Sequence, residues 1–253
     1  MSDFPTADPG LPPGPEQTRI GELNREMDSL LYALSHDLRA PLRAIDGFSA
    51  ALAEDFGPSL DQEAQDYIRR VRGAARKLEG YLDALLTLSR ESRGEFTPEK
   101  TDLSALVREM ADRLARDEPH RQVEWAVVQG CMAVTGQALV RTALSKLVDN
   151  AWKFTAKTPG ARIEFGCEAR PGETLFFVAD NGVGLDMDYA RPRLFGLFQR
   201  LNDDPDFPGL GVGLATARRI AGRLGGRLEA SGTPGQGARF GIVLPDIGQG
   251  GGA

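Results

Sequence analysis

"LYALSHDLRAPLRAIDGFSAALAEDF" (residues 31–56) carries apolar residues at spacings of three and four. The series extends backwards and forwards as Ile20, Leu23, Met27, Leu30, Leu31, Leu34, Leu38, Ile45, Phe48 and Leu52, with one gap around Pro41. That is the signature of a long amphipathic helix. Gly57 and Pro58 end it, and Asp61 has the chemistry to cap the next helix. There Tyr67, Val71, Ala74, Leu78, Leu85 and Leu88 continue a near-heptad stripe. Two such helices with a short connection make an antiparallel hairpin. One hairpin with one apolar stripe buries little surface, so two copies should pack as a dimeric four-helix bundle.

The polar stretch from Glu91 to Thr101 reads as a linker. Beyond Asp102 the pattern is mixed. Helices are expected at 103–116, 137–154 and 213–224, and strands at 123–128, 132–134, 162–168, 174–179, 226–230 and 238–244, with a glycine-rich loop region over 181–212. This order suggests an α/β sandwich, one sheet covered by helices on one face, and an α+β chain overall. The domains expected are a disordered N-terminus at 1–16, the hairpin at 17–95, the sandwich at 96–246 and a disordered tail at 247–253.

Bulk properties exclude several functions. The 253 residues carry a net charge of −6, with basic and acidic residues interspersed, so nucleic acid is not an expected partner. No apolar run approaches the roughly 18 residues of a membrane span. The first fifteen residues, "MSDFPTADPGLPPGP", lack the basic and apolar regions of a secretory signal. Neither membrane insertion nor export is expected, and the location implied is the cytoplasm. Cys131 and Cys167 have no metal-ligand spacing and read as two reduced thiols of a cytosolic protein.

Four segments carry chemistry. In "SHDLRAPLR" (35–43), helical geometry places His36 opposite the apolar stripe, beside Asp37. A proline inside a helix costs about 3 kcal/mol, which suggests that the bend at Pro41 has a use. A neutral imidazole is a nucleophile near neutral pH, and an adjacent carboxylate can take the proton from its second nitrogen. In "KLVDNAWKFT" (146–155), Leu147, Val148 and Ala151 share a face with Leu144, while Lys146, Asn150 and Lys153 form nearly the opposite one. By itself that is any amphipathic helix, but the amide oxygen of Asn150 can ligate Mg²⁺ and Lys153 can meet phosphate. In "DNGVGLD" (180–186), Asp180 ends a strand, and Gly182 and Gly184 permit close backbone approach to a ligand. In "GLGVGLATARR" (209–219), Gly209, Gly211 and Gly213 precede a helix whose free N–H groups suit phosphate.

In this order the segments resemble the boxes of the sensor histidine protein kinases of two-component systems, and the wording is similar to that of phytochrome-type kinases. The four correspond to the H, N, G1 and G2 boxes; "LFGLFQRL" (194–201) resembles the F box, and "GTPGQGARF" (232–240) the last glycine element. The likeness covers about residues 20–245. It implies ATP and Mg²⁺ as cofactors, autophosphorylation of His36 with Asp37 as acid/base partner, and transfer to an aspartate on a response-regulator receiver domain. It further implies that Asn150 holds Mg²⁺, that Asp180 binds the adenine amino group, and that 186–208 is a mobile lid with Phe195 and Phe198 as anchors. Arg200 would reach phosphate, and Gly209, Gly211 and Gly213 would close on the triphosphate. A homodimer and a separate sensor protein, or a signal docked to the first helix, complete the expected partners.

Two departures stand out. Many members carry a second asparagine where this chain has Lys146, which either charges the phosphates directly or weakens Mg²⁺ binding. Ala40 stands where a residue that positions water is common, so weak phosphatase activity toward the phosphorylated partner is expected. Two other readings are a non-catalytic relay with a degenerate ATP domain and a chaperone- or topoisomerase-type ATPase. "SHDLRAPLR" and the hairpin speak against the latter.

Overall fold

The structure is a computed structural model and describes residues 15–91, 96–199, 207 and 209–246. The expected disordered N-terminus, except Pro15 and Glu16, and the expected disordered tail lie outside the described residues, as does Arg200. The chain divides into two compact units, Met1–Ser89 and Arg90–Ala253.

The first unit is the hairpin. Helix α1 runs Pro15–Phe56, continuous through Pro41, and α2 runs Gln62–Glu91, with a 3₁₀ turn at Gly57–Ser59 between them. Asp61 caps α2 by accepting the Ala64 N–H at 2.8 Å. The Gln65 amide ties the turn together by donating to the carbonyls of Gly57 and Leu60.

The seam inside one hairpin is narrower than the sequence suggests. Ser35, Leu42 and Ser49, seven residues apart, are buried, with Ala75, Leu82 and Leu86 from α2. Ion pairs of Asp46 with Arg72 and Arg76 flank it. The expected stripe is largely uncovered: Leu34, Leu38, Ile45, Phe48 and Leu52 of α1 and Tyr67, Val71 and Leu78 of α2 are exposed, Phe48 at 75%. The side chains of Ile20, Leu23, Met27, Leu30, Leu31 and Leu88 lie outside the described residues.

The second unit contains β1 (Glu99–Asp102), α3 (Leu103–Asp117), β2 (Glu124–Val127), β3 (Met132–Thr135), α4 (Gln137–Phe154), β4 (Arg162–Arg170), β5 (Glu173–Asp180), α5 (Met187–Ala190), α6 (Gly213–Arg223), β6 (Arg227–Thr233) and β7 (Gly237–Pro245). A five-stranded sheet has the order β2-β4-β5-β7-β6, antiparallel except for β2 against β4. The expected linker is corrected at its end: Glu99–Asp102 is a strand that pairs with β3 in a separate two-stranded sheet. Four polar-rich residues show no alternation of their own, and the pairing comes from β3.

One face of the large sheet carries α3, α4 and α6. Ile163, Phe165, Phe176, Val178 and Ile242 meet Leu103, Val107, Leu144, Leu147, Val148 and Ile220 in a single core. The other face has no helix among the described residues, yet Leu175, Phe177 and Val243 are buried there. Phe177 lies between Gly166 and Gly241 on the neighbouring strands, and a β-carbon at Gly166 would stand 2.7 Å from its ring. The Arg239 guanidinium lies over that ring at 3.6 Å. Pairs of Arg170 with Glu229 and of Arg227 with Glu173 and Glu229 extend the cover.

The reading of two separate thiols is also corrected. Cys131, fully buried ahead of β3, and Cys167 on β4 form a disulfide, with α-carbons 5.8 Å apart. Spacing and compartment point to reduced thiols; the fold brings the two residues to a normal crosslinking distance across 36 positions of chain. Closing a loop of that length should stabilise the unit by about 2–4 kcal/mol. Urea unfolding with and without reductant should show that difference, and Cys167→Ser should remove it; overlapping curves would contradict the crosslink.

Candidate nucleotide site

Helix α4 is amphipathic in the strict sense. Val140, Ala143, Leu144, Leu147, Val148 and Ala151 are buried. Its opposite edge therefore points away from the sheet, and Lys146, Asn150 and Lys153 lie within about 60° of one another on it. The C-terminal end of α4 is locked. Arg121 stacks on Trp152 at 4.0 Å and donates to the Trp152 carbonyl and the Thr155 hydroxyl. The Trp152 indole N–H donates to Glu118 at 2.9 Å.

The loop after β5 docks on that end. The Val183 N–H donates to the Phe154 carbonyl at 3.3 Å. A β-carbon at Gly182 would collide with the same carbonyl. Gly184 has φ +70°, and a side chain there would strike the Thr233 carbonyl. From the β6–β7 turn, the Gly235 N–H donates to the Val183 carbonyl at 2.8 Å. Backbone thus packs on backbone where the last glycine element meets the loop. The Asn181 amide braces the far side, accepting from the Arg162 N–H and donating to the Gly160 carbonyl.

Asp180 sits at the centre of this arrangement, paired in register with Ile163 and Ala238. Its carboxylate accepts the Gly182 N–H at 2.9 Å. Burial pushes its pKa up to about 6, opposed by the Gly182 and Ala238 N–H groups.

The loop before α6 lies along the polar edge of α4. A β-carbon at Gly209 would stand 3.3 Å from the Lys153 ammonium, and one at Gly213 would stand 3.8 Å from the Lys146 β-carbon. Gly211 has φ +70° and packs against the Gln199 backbone. Val212, before the first turn of α6, supplies no side-chain cap, so the N–H groups of that turn are available to a ligand.

Asp180, Gly182, Gly184, Asn150, Lys153, Gly209, Gly211 and Gly213 all belong to the second unit; Gly182 meets the C-terminal end of α4, and Gly209 and Gly213 lie along its polar edge at Lys153 and Lys146. Phe195 is half-buried against the core, with Arg218 over its ring. Phe198 is 37% exposed and holds a left-handed φ of 60°, a conformation costing about 1–3 kcal/mol. A buried aromatic that the sequence reading missed is Phe207: it is 3% exposed and packs on Phe154 at 5.4 Å between ring centroids. Its only signal is a single aromatic in an aspartate- and proline-rich loop.

His36 and Asp37 belong to the hairpin unit. Their side chains are 77% and 79% exposed, and the imidazole Nδ1 lies 3.2 Å from the Asp37 carboxylate. Pro41 lacks the N–H that would bond the Asp37 carbonyl, so the break in the helical ladder falls beside His36. No helix among the described residues is long and apolar enough to cross a membrane. Nor does any group of three or more His, Cys, Asp or Glu among them suit a metal ion.

Comparison with known proteins assigns both units. Residues 26–94 match the His Kinase A (phospho-acceptor) domain, and residues 135–247 match the family of histidine kinase-, DNA gyrase B- and HSP90-like ATPases. The chain is 36% identical over 236 residues to the methanogenesis regulatory histidine kinase FilI of Methanothrix harundinacea, covering 92% of this chain and 26% of that protein. It is 30% identical over 227 residues to cyanobacterial phytochrome B of Nostoc sp., covering 88% and 30% respectively. Among solved structures, full-length ShkA in complex with AMPPNP matches with a TM-score of 0.59 at 27% identity, over 86% of this chain and 45% of that one. The chain thus spans between a quarter and a third of the length of these two curated relatives. With a phospho-acceptor hairpin and an ATPase-type α/β unit in succession, it belongs to the sensor histidine kinases.

Proposed function

We propose that the chain uses ATP to phosphorylate its own His36 and passes the phosphoryl group to an aspartate on a response-regulator receiver domain. The observation that supports this most is the packing around Asp180: the loop at Gly182 and Gly184 and the turn at Gly237 close on its end of β5, while the loop Gly209–Gly213 lies along the polar edge of α4. In this reading residues 17–95 are the dimerisation and phosphoacceptor domain, residues 96–246 bind ATP, and the reaction takes place in the cytoplasm, where ATP is supplied.

Asp180 receives the adenine amino group, with Gly182 and Gly184 shaping its pocket. Lys153 and the loop Gly209–Gly213 hold the phosphates, with Arg200 from the lid and Phe195 and Phe198 as lid anchors. The donor set fits Mg²⁺: such an ion takes one or two protein oxygens and completes its shell from phosphates and water, and the Asn150 amide oxygen supplies one on the correct edge of α4. Bound there, the ion would neutralise phosphate charge.

At His36, Asp37 engages Nδ1, which leaves Nε2 as the nucleophile. Its lone pair attacks the γ-phosphorus, the bond from phosphorus to the bridging oxygen breaks with its electrons leaving on ADP, and Asp37 takes the Nδ1 proton. Transfer to a receiver carboxylate breaks the N–P bond, returns that electron pair to the imidazole, and returns the proton. Ala40 offers no hydrogen bond to a water on the receiver, so dephosphorylation of the partner is slow.

The exposed stripe of α1 and α2 supports a homodimer, because a second hairpin would cover Leu34, Leu38, Ile45, Phe48 and Leu52. Light scattering at micromolar concentration should give twice the chain mass of 27.3 kDa; the monomer mass would sink the dimer.

Incubation with γ-labelled ATP and Mg²⁺ should give acid-labile label that His36→Gln abolishes and that moves to a receiver domain, where it persists. Bound ATP without label would favour a relay; released phosphate without labelled protein would favour a plain ATPase.

Asp180 ties affinity to pH. A donor on adenine favours the ionised carboxylate, so nucleotide binding should strengthen as pH rises through about 6, by at most about tenfold per unit below that pH. For the free protein the sign is opposite: the raised pKa contributes stability that is present below the unfolded value near 4 and is lost as pH rises through about 6. Calorimetric titration of wild type and Asp180→Asn from pH 5 to 8 tests the binding: the variant should be weak and flat, and a pH-independent wild type would remove Asp180 from base recognition.

A further inference from the structure

We infer that Lys146 is a phosphate-binding residue for the terminal phosphate of the nucleotide, supplying from the chain itself part of the positive charge that a divalent cation would otherwise provide. This rests on the nucleotide-site reading above. Three placements on α4 carry it.

The first is direction. The Phe154 carbonyl meets the loop that carries Gly182 and Val183, so the C-terminal end of α4 marks the base end of the site. Lys153 stands at Gly209, and Lys146 stands at Gly213, where α6 begins. From Phe154 back to Lys146 is about 12 Å along the helix axis, of the same order as a nucleoside triphosphate from base to γ-phosphate. Lys153 therefore serves the near phosphates and Lys146 the far one.

The second is the surface that Lys146 lies against. The β-carbon and δ-carbon of its stem would stand 3.8 and 3.9 Å from a β-carbon at Gly213, so the stem lies along the first turn of α6. The N–H groups of that turn, without a side-chain cap, favour an anion from one side while the ammonium approaches from α4.

The third is charge. Lys146 is half-buried and makes no ion pair among the described residues; Asp149, its sequence neighbour three positions on, feels its field but is also pulled by Arg113 at 3.3 Å. An ammonium so placed faces a ligand without a competing ion pair among the described residues. The same edge offers one amide oxygen, at Asn150, for a cation. A polyphosphate on this loop thus meets two ammonium groups and a single metal donor.

Calorimetric titration of the full chain with ATP and with ADP, each in Mg²⁺ and in EDTA, tests the assignment. In EDTA, Lys146→Met should weaken ATP about tenfold and ADP less than about threefold, the loss of one charge-assisted contact. Lys146→Arg should hold ATP within about threefold of wild type. Lys146→Asn, which restores an amide, should make ATP affinity depend more steeply on Mg²⁺ than in wild type. Equal losses for ATP and ADP, or no loss in EDTA, would overturn the role of Lys146 while leaving the nucleotide site standing. A wild-type chain that binds neither nucleotide would instead overturn the site reading, and this inference with it. Unchanged unfolding midpoints identify a binding effect, whereas a matching drop in Lys146→Met and Lys146→Arg would mark a structural role and overturn the assignment.

Discussion

Helix α4 is held against the sheet, α3 and α6 by Val140, Ala143, Leu144, Leu147, Val148 and Ala151, none with more than 2% of its surface exposed. Burying each of the larger side chains contributes about 1.5–3 kcal/mol as an upper estimate. The consequence is rotational. A helix gripped along one face cannot turn, so the positions of Lys146, Asn150 and Lys153 follow from apolar packing on the other side. Arg121 and Glu118 fix the end of the same helix by gripping Trp152. The loop after Asp180 then has a rigid carbonyl, that of Phe154, on which to settle.

What is legible in the sequence follows from how local the cause is. The span 137–154 of α4 can be read because its apolar period is strong and uninterrupted. The hairpin can be read for the same reason, but its apolar stripe does not form the internal seam. Ser35 and Ser49 on that seam are small and polar, so no hydropathy pattern singles them out, while Phe48 and Leu52 have no cover within one chain. Strand β1 is hidden because Glu99–Asp102 has no pattern apart from its partner. The cysteine pair escapes a rule based on compartment because its pairing is decided by a distance in the fold. The contact of Phe207 with Phe154 and that of Gly213 with Lys146 are set by the fold around α4 and leave no local pattern.

The uncovered face of the sheet shows how an α/β unit can manage without a second helical layer. Gly166 clears room for the Phe177 ring and Gly241 for the Leu175 side chain, so both lie low on the sheet. Arginine stems then cover apolar surface while their charged ends pair with Glu168, Glu173 and Glu229. Exposed ion pairs are each worth little, about 0–1 kcal/mol. Their main contribution here is shape: they place long aliphatic stems over Leu175, Phe177 and Val243.

Both tryptophans of the chain, Trp125 and Trp152, lie in the α/β unit and stack at 6.2 Å. The hairpin has none. The tryptophan emission of this protein therefore belongs to one unit, while the two long hairpin helices contribute 72 helical residues (42 and 30) to a far-ultraviolet ellipticity shared with the shorter helices of the other unit. A single unlabelled sample thus reports one unit by tryptophan emission and both by ellipticity, and because Trp152 is two residues from Phe154, the emission comes from beside the carbonyl on which the loop after Asp180 settles.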